Sequence, residues 1–158
     1  MNESRFSKWE IWGDRGNIPG INFPGIYVLA ISEVSLSGKP FSWIKEIEYV
    51  GMTNSKGGLK GRLQQFENTM RGKSGHGGAR RFRFVYPDAS NIEYTLFNKF
   101  YVSVAAFDCD VTLPYKPEDL IVMGDVAKAE YECFARYLKE FKEMPKYNNK
   151  EDNEKLPK

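Results

Sequence analysis

No apolar run in this 158-residue chain approaches the roughly 18 residues that a bilayer-spanning helix needs. The opening Met1-Asn2-Glu3-Ser4-Arg5 has no basic stretch leading into an apolar one. These absences argue against membrane and secreted classes, and the expectation is a soluble, cytoplasmic protein. Cysteine is scarce: Cys109 and Cys133 stand in Asp-Cys-Asp and Glu-Cys-Phe, with no CxxC pair to hold zinc and too few thiols for a disulfide framework. Histidine occurs once, at His76, and no internal repeat is visible. The net charge of +2 is too small to imply a nucleic-acid partner by itself.

What is present is a globular composition, 41% hydrophobic and 15% aromatic, in a length that suits one domain with a real core. Residues 1–24 carry Trp9 and Trp12 among turn-forming residues and read as an extension packed onto the body. Residues 25–31 are rich in β-branched and aromatic side chains, and the turn Ser37-Gly38-Lys39-Pro40 allows 44–50 to return as an antiparallel partner. A loop over 51–58 and a helix from about 58 to 72 follow. Residues 79–84 suit a short helix or a strand, and 92–96 and 100–107 read as strands. Pro114 and Pro117 break the chain before a helix over 125–142, which Pro145 ends. From Asn149 onward the charged tail is expected to be mobile. The fold class is α+β: a small central antiparallel sheet flanked by helices, spanning residues 25–148.

Two charges interrupt otherwise apolar helical stripes. Positions 126, 130, 133, 134, 137, 138 and 141 read Val, Glu, Cys, Phe, Tyr, Leu, Phe, and positions 59, 62, 63, 66 and 70 read Leu, Arg, Leu, Phe, Met. An isolated buried ion costs several kcal/mol, on the order of a small domain's stability, so Glu130 and Arg62 need a partner or a use. Either they pair with each other as a structural bridge, or both face a cleft, Arg62 toward a phosphate and Glu130 toward a metal ion. Between 56 and 83 lie Lys56, Lys60, Arg62, Arg71, Lys73, Arg80, Arg81 and Arg83, opposed only by Glu67 and interleaved with seven glycines. Such a run is either a solvated face or a binding surface; glycines let backbone N–H groups approach phosphate oxygens, which a solvated face does not require. Lys56, Lys60, Arg71, Lys73, Arg80 and Arg81 are therefore the candidate nucleic-acid contacts.

Gly25-Ile26-Tyr27 on the first strand, Tyr49-Val50-Gly51 at the end of the second, Arg62 on the following helix and Glu130 on a later one form an ordered set. With Met144-Pro145-Lys146-Tyr147-Asn148 beyond the helix, this set resembles the GIY-YIG nuclease family over about residues 25–148. The resemblance implies a metal-dependent endonuclease acting on DNA. Glu130 would hold one Mg²⁺ or Mn²⁺, and Arg62 would stabilise the charged phosphate through its planar fork. Tyr27 or Tyr49 would take a proton from water, its pKa depressed by the metal, Arg62 or a lysine such as Lys60. His76, in a loop like that where some members place an active-site histidine, would contact phosphate or orient the nucleophile, or else be a solvated loop residue. The sequence departs from the pattern at Phe66, where the family often has Tyr or His, and in a longer interval between the tyrosines. Glu132 lies close to Glu130, but helical phase favours Glu130. The alternative reading is a protein that keeps the fold and binds nucleic acid without cutting it. No separate recognition domain fits, so target preference would come from the 1–24 extension, the hairpin tip, or a second copy in a homodimer.

Overall fold

The computed structural model describes residues 1–149. Strand β2 (Gly25–Ile31) runs through the middle of the sheet and is buried on both faces except at its last residue, as its unbroken apolar run demands. It pairs antiparallel with β3 (Ile47–Thr53) on one side and with β4 (Phe100–Ala106) on the other. The short β1 (Glu10–Ile11) pairs with β4, giving the order β1-β4-β2-β3 with β3 at an edge. The return strand thus starts three residues later than the turn chemistry suggests, and the first part of the expected 51–58 loop is strand. The connection between β2 and β3 folds back instead of projecting. Its Leu36, Phe41 and Trp43 are buried with Phe6 and Trp9, and the backbone of Trp9 exchanges hydrogen bonds with Gly38 and Lys39.

Helices cover both faces. On one, α1 (Gly58–Met70) buries Leu59, Leu63, Phe66 and Met70 against Tyr27, Leu29, Val102 and Val104. Helix α2 (Gly77–Val85) adds Ala79 and Phe82 to the same core, so the ambiguous segment is helical. On the opposite face α4 (Pro117–Phe141) packs Val126, Ala129, Cys133 and Tyr137 onto Ile26, Val28, Ile47 and Val50.

Three expectations need correction. Residues 92–96 are not a strand; α3 (Ile92–Thr95) is a single helical turn that follows a 3-10 turn over Ala89–Asn91 capped by Asp88, whose carboxylate accepts from Ser90 and Asn91. The i, i+4 pair Ile92 and Leu96 is fully buried, and burial on that spacing outweighs the β-propensity of the segment. Helix α4 begins at Pro117 and not near 125, because proline is favoured at the first helical position and Glu118 and Asp119 suit the first turn. Leu138 is 45% exposed and does not belong to the core stripe. Both cysteines are free thiols. The charged segment expected to be mobile lies, beyond Asn149, outside the described residues. Among the described residues no helix is long and apolar enough to cross a membrane.

Candidate active site

Register places Tyr49 opposite Leu29 and Tyr27 opposite Gly51. The two phenols are therefore diagonal neighbours on the α1 face, with ring centroids 6.0 Å apart. Two glycines make room for them. A Cβ on Gly51 would lie 2.4 Å from Tyr27 Oη, and one on Gly78 would lie 2.6 Å from Tyr49 Cζ. Gly78 is thus needed by a tyrosine ring and not, as the glycine-rich run suggested, only for approach to phosphate.

His76 joins the phenols from the other side. It is the N-cap of α2, where its Nδ1 accepts the Ala79 N–H at 3.2 Å, and its own N–H donates to Thr69 Oγ1 at 3.0 Å. With Nδ1 accepting, the proton of the neutral ring resides on Nε2, which donates to Tyr27 Oη at 2.7 Å. The imidazole is 1% exposed and lies edge-on to Phe66, centroids 5.2 Å apart. Burial, reinforced by the positive charge of Arg62, lowers its pKa to about 3, so it is neutral at working pH. It sits behind the tyrosines, and neither the solvated-loop reading nor direct phosphate contact fits that burial. Phe66, which lacks a polar atom, packs in the core against Trp12, Phe82 and Phe100.

Arg62 sits on α1 close enough to influence all three rings. Its Nη1 donates to Gln65 Oε1 at 3.0 Å, while its Nε is buried without a hydrogen-bond partner. A buried donor left unsatisfied costs about 1–3 kcal/mol, which an anionic acceptor would recover. Among the described residues no ion pair joins Arg62 to Glu130, so the structural-bridge reading finds no support. The two charges come from opposite faces of the sheet, α1 and α4, around the edge strand β3. Glu130 is half-buried and near enough to Tyr49 for its charge to raise that phenol.

The electrostatics differ from expectation in one respect. Burial pushes Tyr27 well above the ordinary phenol range, with Tyr49 adding to the rise and Arg62 opposing it. Burial also raises Tyr49, against the opposing hydrogen bond from Tyr27 and the charges of Arg62 and Arg81. The protein's own groups therefore do not depress either phenol. Lys60 takes no part: two residues from Arg62 on α1, it points about 200° away and lines a groove with Arg15 and Gln64.

Asn148 secures the edge. Its Nδ2 donates to the Val50 carbonyl and its Oδ1 accepts the Val50 N–H, both at 2.8 Å, so one side chain stands in for a neighbouring strand next to Tyr49. Tyr147 stacks on Phe82 at 3.8 Å and its carbonyl accepts from Arg81 at 2.6 Å.

The basic residues divide. Lys56, Lys60, Lys73 and Arg80 are exposed. Arg71 is drawn away from the others by Glu67, at 3.5 Å, and by a close ion pair with Glu93, and its guanidinium lies over Phe97. It caps the far end of α1, about 13 Å along the axis from Arg62 at 1.5 Å per residue. Arg81 braces Tyr147 as well as facing Tyr49.

A Mg²⁺ or Mn²⁺ ion suits the donor chemistry at Glu130. Among the described residues no three His, Cys, Asp or Glu side chains gather as a cage, and a hard cation that keeps most of its waters needs only one or two carboxylates.

The chain matches no protein-family model, no curated protein and no solved structure in the comparisons made.

Proposed function

We propose that this protein is a divalent-metal-dependent endonuclease that hydrolyses DNA phosphodiester bonds, as the resemblance to the GIY-YIG nucleases implies. The observation that carries the reading is the convergence of Tyr27, Tyr49, His76 and Arg62, with an unsatisfied buried Nε on Arg62, beside the edge that Glu130 approaches from the other face.

In hydrolysis a water attacks phosphorus in line with the leaving oxygen; one P–O bond forms, the ester P–O bond breaks, and the water proton must leave. Tyr49, half-buried where Tyr27 is fully buried, is the phenol that water can reach; it accepts that proton as the phenolate, its own proton having first gone to bulk water, and a solvent water protonates the leaving oxygen. Tyr27 is a positioning residue: His76 Nε2–H occupies its lone pair, which turns its own hydroxyl proton toward Tyr49. Arg62 donates to the phosphoryl oxygens as negative charge accumulates on them. Glu130 would hold the divalent cation, whose positive charge at the phosphate would also offset the rise that burial imposes on Tyr49. Lys56, Lys73 and Arg80 would meet flanking phosphates, which position DNA without reading its sequence.

One observation favours the second reading, a module that binds nucleic acid without cutting: both phenols are raised by burial, which disfavours a base. Supercoiled-plasmid cleavage separates the two. Wild type and Glu130→Gln are compared with Mg²⁺, Mn²⁺ and EDTA after both are confirmed to be folded. The expected result is metal-dependent nicking by the wild type alone. A wild type that binds DNA yet never nicks it with either metal sinks the nuclease reading in favour of the binding module.

A further inference from the structure

Helix α2 turns an aromatic ring outward among arginines. At about 100° per residue, Phe84 lies opposite the buried side formed by Gly78, Ala79 and Phe82, with Arg80 about 40° to one side of it and Arg81 about 60° to the other. Phe84 is 59% exposed and belongs to neither core. The N-terminal extension and the β2–β3 connection, by contrast, turn their aromatics inward, since Trp9, Trp12, Phe41 and Trp43 are at most 7% exposed. The charges around the ring point one way. From residue 68 to residue 87 no carboxylate side chain occurs, and α2 has none in its first turn, where one would suit the helix dipole. Arg80 and Arg81 stand near that positive end instead, an arrangement that an anion would relieve. Arg81 also ties this face to the proposed site, because its charge acts on Tyr49 and its Nη1 donates to the Tyr147 carbonyl at 2.6 Å. Phe84 is one turn further along the same side, about 5–6 Å from Arg81 between Cβ atoms.

We propose that Phe84 is a stacking platform for an unpaired nucleobase of the DNA strand being cut, with Arg80 on a phosphate that flanks it. A base inside a duplex has both faces covered by its neighbours, so only a nucleotide from a single strand, a loop or a frayed end can lie on the ring. Phenylalanine has no polar atom with which to read a base edge, so the stacking is indifferent to which base it is. The substrate class is DNA with an unpaired stretch beside the cut phosphate, chosen by structure and not by sequence. Negative supercoiling favours such stretches, so a supercoiled plasmid remains a substrate. This deepens the nuclease reading and rests on it for the position of the cut, at Tyr49 and Arg62. Duplex DNA still meets the lysines and Arg80 through its phosphates, without engaging the ring.

Fluorescence anisotropy in EDTA, where no strand is cut, tests it with three labelled probes of about 12 nucleotides, namely oligo(dT), a strand of abasic nucleotides, and a duplex. The wild type should bind oligo(dT) more tightly than the abasic strand. Phe84→Ala, at an exposed helical position where alanine is the better helix former, should weaken binding to oligo(dT) at least about fivefold, the low end for one base on one ring. Its binding to the abasic strand and to the duplex should match the wild type's, with an unchanged salt slope because no charge is lost. Phe84→Trp should restore binding to oligo(dT). Three outcomes overturn the proposal: a wild type that does not distinguish oligo(dT) from the abasic strand, a Phe84→Ala that weakens by the same factor on all three probes, or one that binds oligo(dT) as the wild type does, which would fit a face built for an acidic protein surface instead. Plasmid nicking keeps the two readings apart. A protein that nicks but is indifferent to Phe84→Ala in these titrations keeps the nuclease reading and loses the platform, whereas one that distinguishes the probes yet never nicks with Mg²⁺ or Mn²⁺ keeps the platform as part of the binding module.

Discussion

Lowering the pH from 7 to 5 should destabilise this protein through its single histidine. His76 is buried, accepts a backbone N–H at Nδ1 and donates from Nε2 to Tyr27, so protonation would destroy the cap and place a cation beside Arg62. Its folded pKa of about 3 lies below the ordinary 6.5. Between those values the unfolded chain binds a proton that the folded one refuses, so stability is full above about pH 6.5 and falls as the pH drops. At 1.36 kcal/mol per pH unit, the loss attributable to His76 at pH 5 is about 2 kcal/mol, a large share of a small domain's stability. The carboxylates held low, such as Glu67, Asp88 and Asp110, act mainly at lower pH, and Glu48, pushed up by burial, acts in the opposite direction. Both contributions cancel when the wild type is compared with His76→Asn, whose amide can still cap α2 but cannot titrate. Urea denaturation at pH 7, 6 and 5 should show the wild type losing about 2 kcal/mol more than the variant across that range. Imidazole resonances should stay at neutral shifts throughout. Equal pH slopes for the two proteins, or a histidine titrating between pH 6 and 7, would refute the buried, neutral assignment and with it the direction of the Tyr27 hydrogen bond.

Gly78→Ala should separate catalysis from folding. The new Cβ, 2.6 Å from Tyr49 Cζ, pushes a half-buried ring that can swing outward, so overpacking of about 1–3 kcal/mol is partly offset by helix propensity. Nicking should fall at least about tenfold, more than the change in thermal stability accounts for, since a misplacement of 1 Å can cost about 100-fold; unchanged nicking would show that Tyr49's position is immaterial. The basic residues should differ in salt dependence. Fluorescence anisotropy with duplex DNA between 50 and 200 mM salt should give a slope shallower by about 0.9 for Lys73→Gln and for Arg80→Gln. Arg71→Gln should leave the slope unchanged, because Glu67 and Glu93 already hold that guanidinium; a slope reduced as far as in the other two would contradict the assignment.

Much of the fold was legible because its elements obey local rules. The buried run of β2, the α1 stripe and the later part of α4 follow from periodicity alone, and Trp9 and Trp12 are 1% exposed among the turn residues that carry them. The misreadings have equally local causes. Pro117 looked like a break when it is a start, and the strand-like composition of 92–96 concealed the i, i+4 pair that makes it a helical turn. His76 was named from its loop, but its role as the cap of α2 required knowing that 77–85 is a helix. Asn148 entered as part of the segment beyond the helix that carries the resemblance, but its clasp on Val50 could not be read there, because it acts across 98 residues by hydrogen bonds to backbone.

The site itself was half legible for a more general reason. Helical phase can show that Arg62 and Glu130 are out of place on their stripes, but it cannot say what they face. The simplest inference, that two misplaced opposite charges find each other, presumes that their helices share a core. They do not: α1 belongs to the layer over Tyr27 and α4 to the layer over Val50. What lets both act near one pair of phenols is the strand order β1-β4-β2-β3, which leaves β3 at the edge so that side chains from both layers can reach round it. Strand order depends on pairing between distant segments, and no periodicity in either helix encodes it. The same edge explains Asn148, since a strand with a free side beside a functional group must be held, and one amide bound to Val50 holds it without closing the site behind another strand.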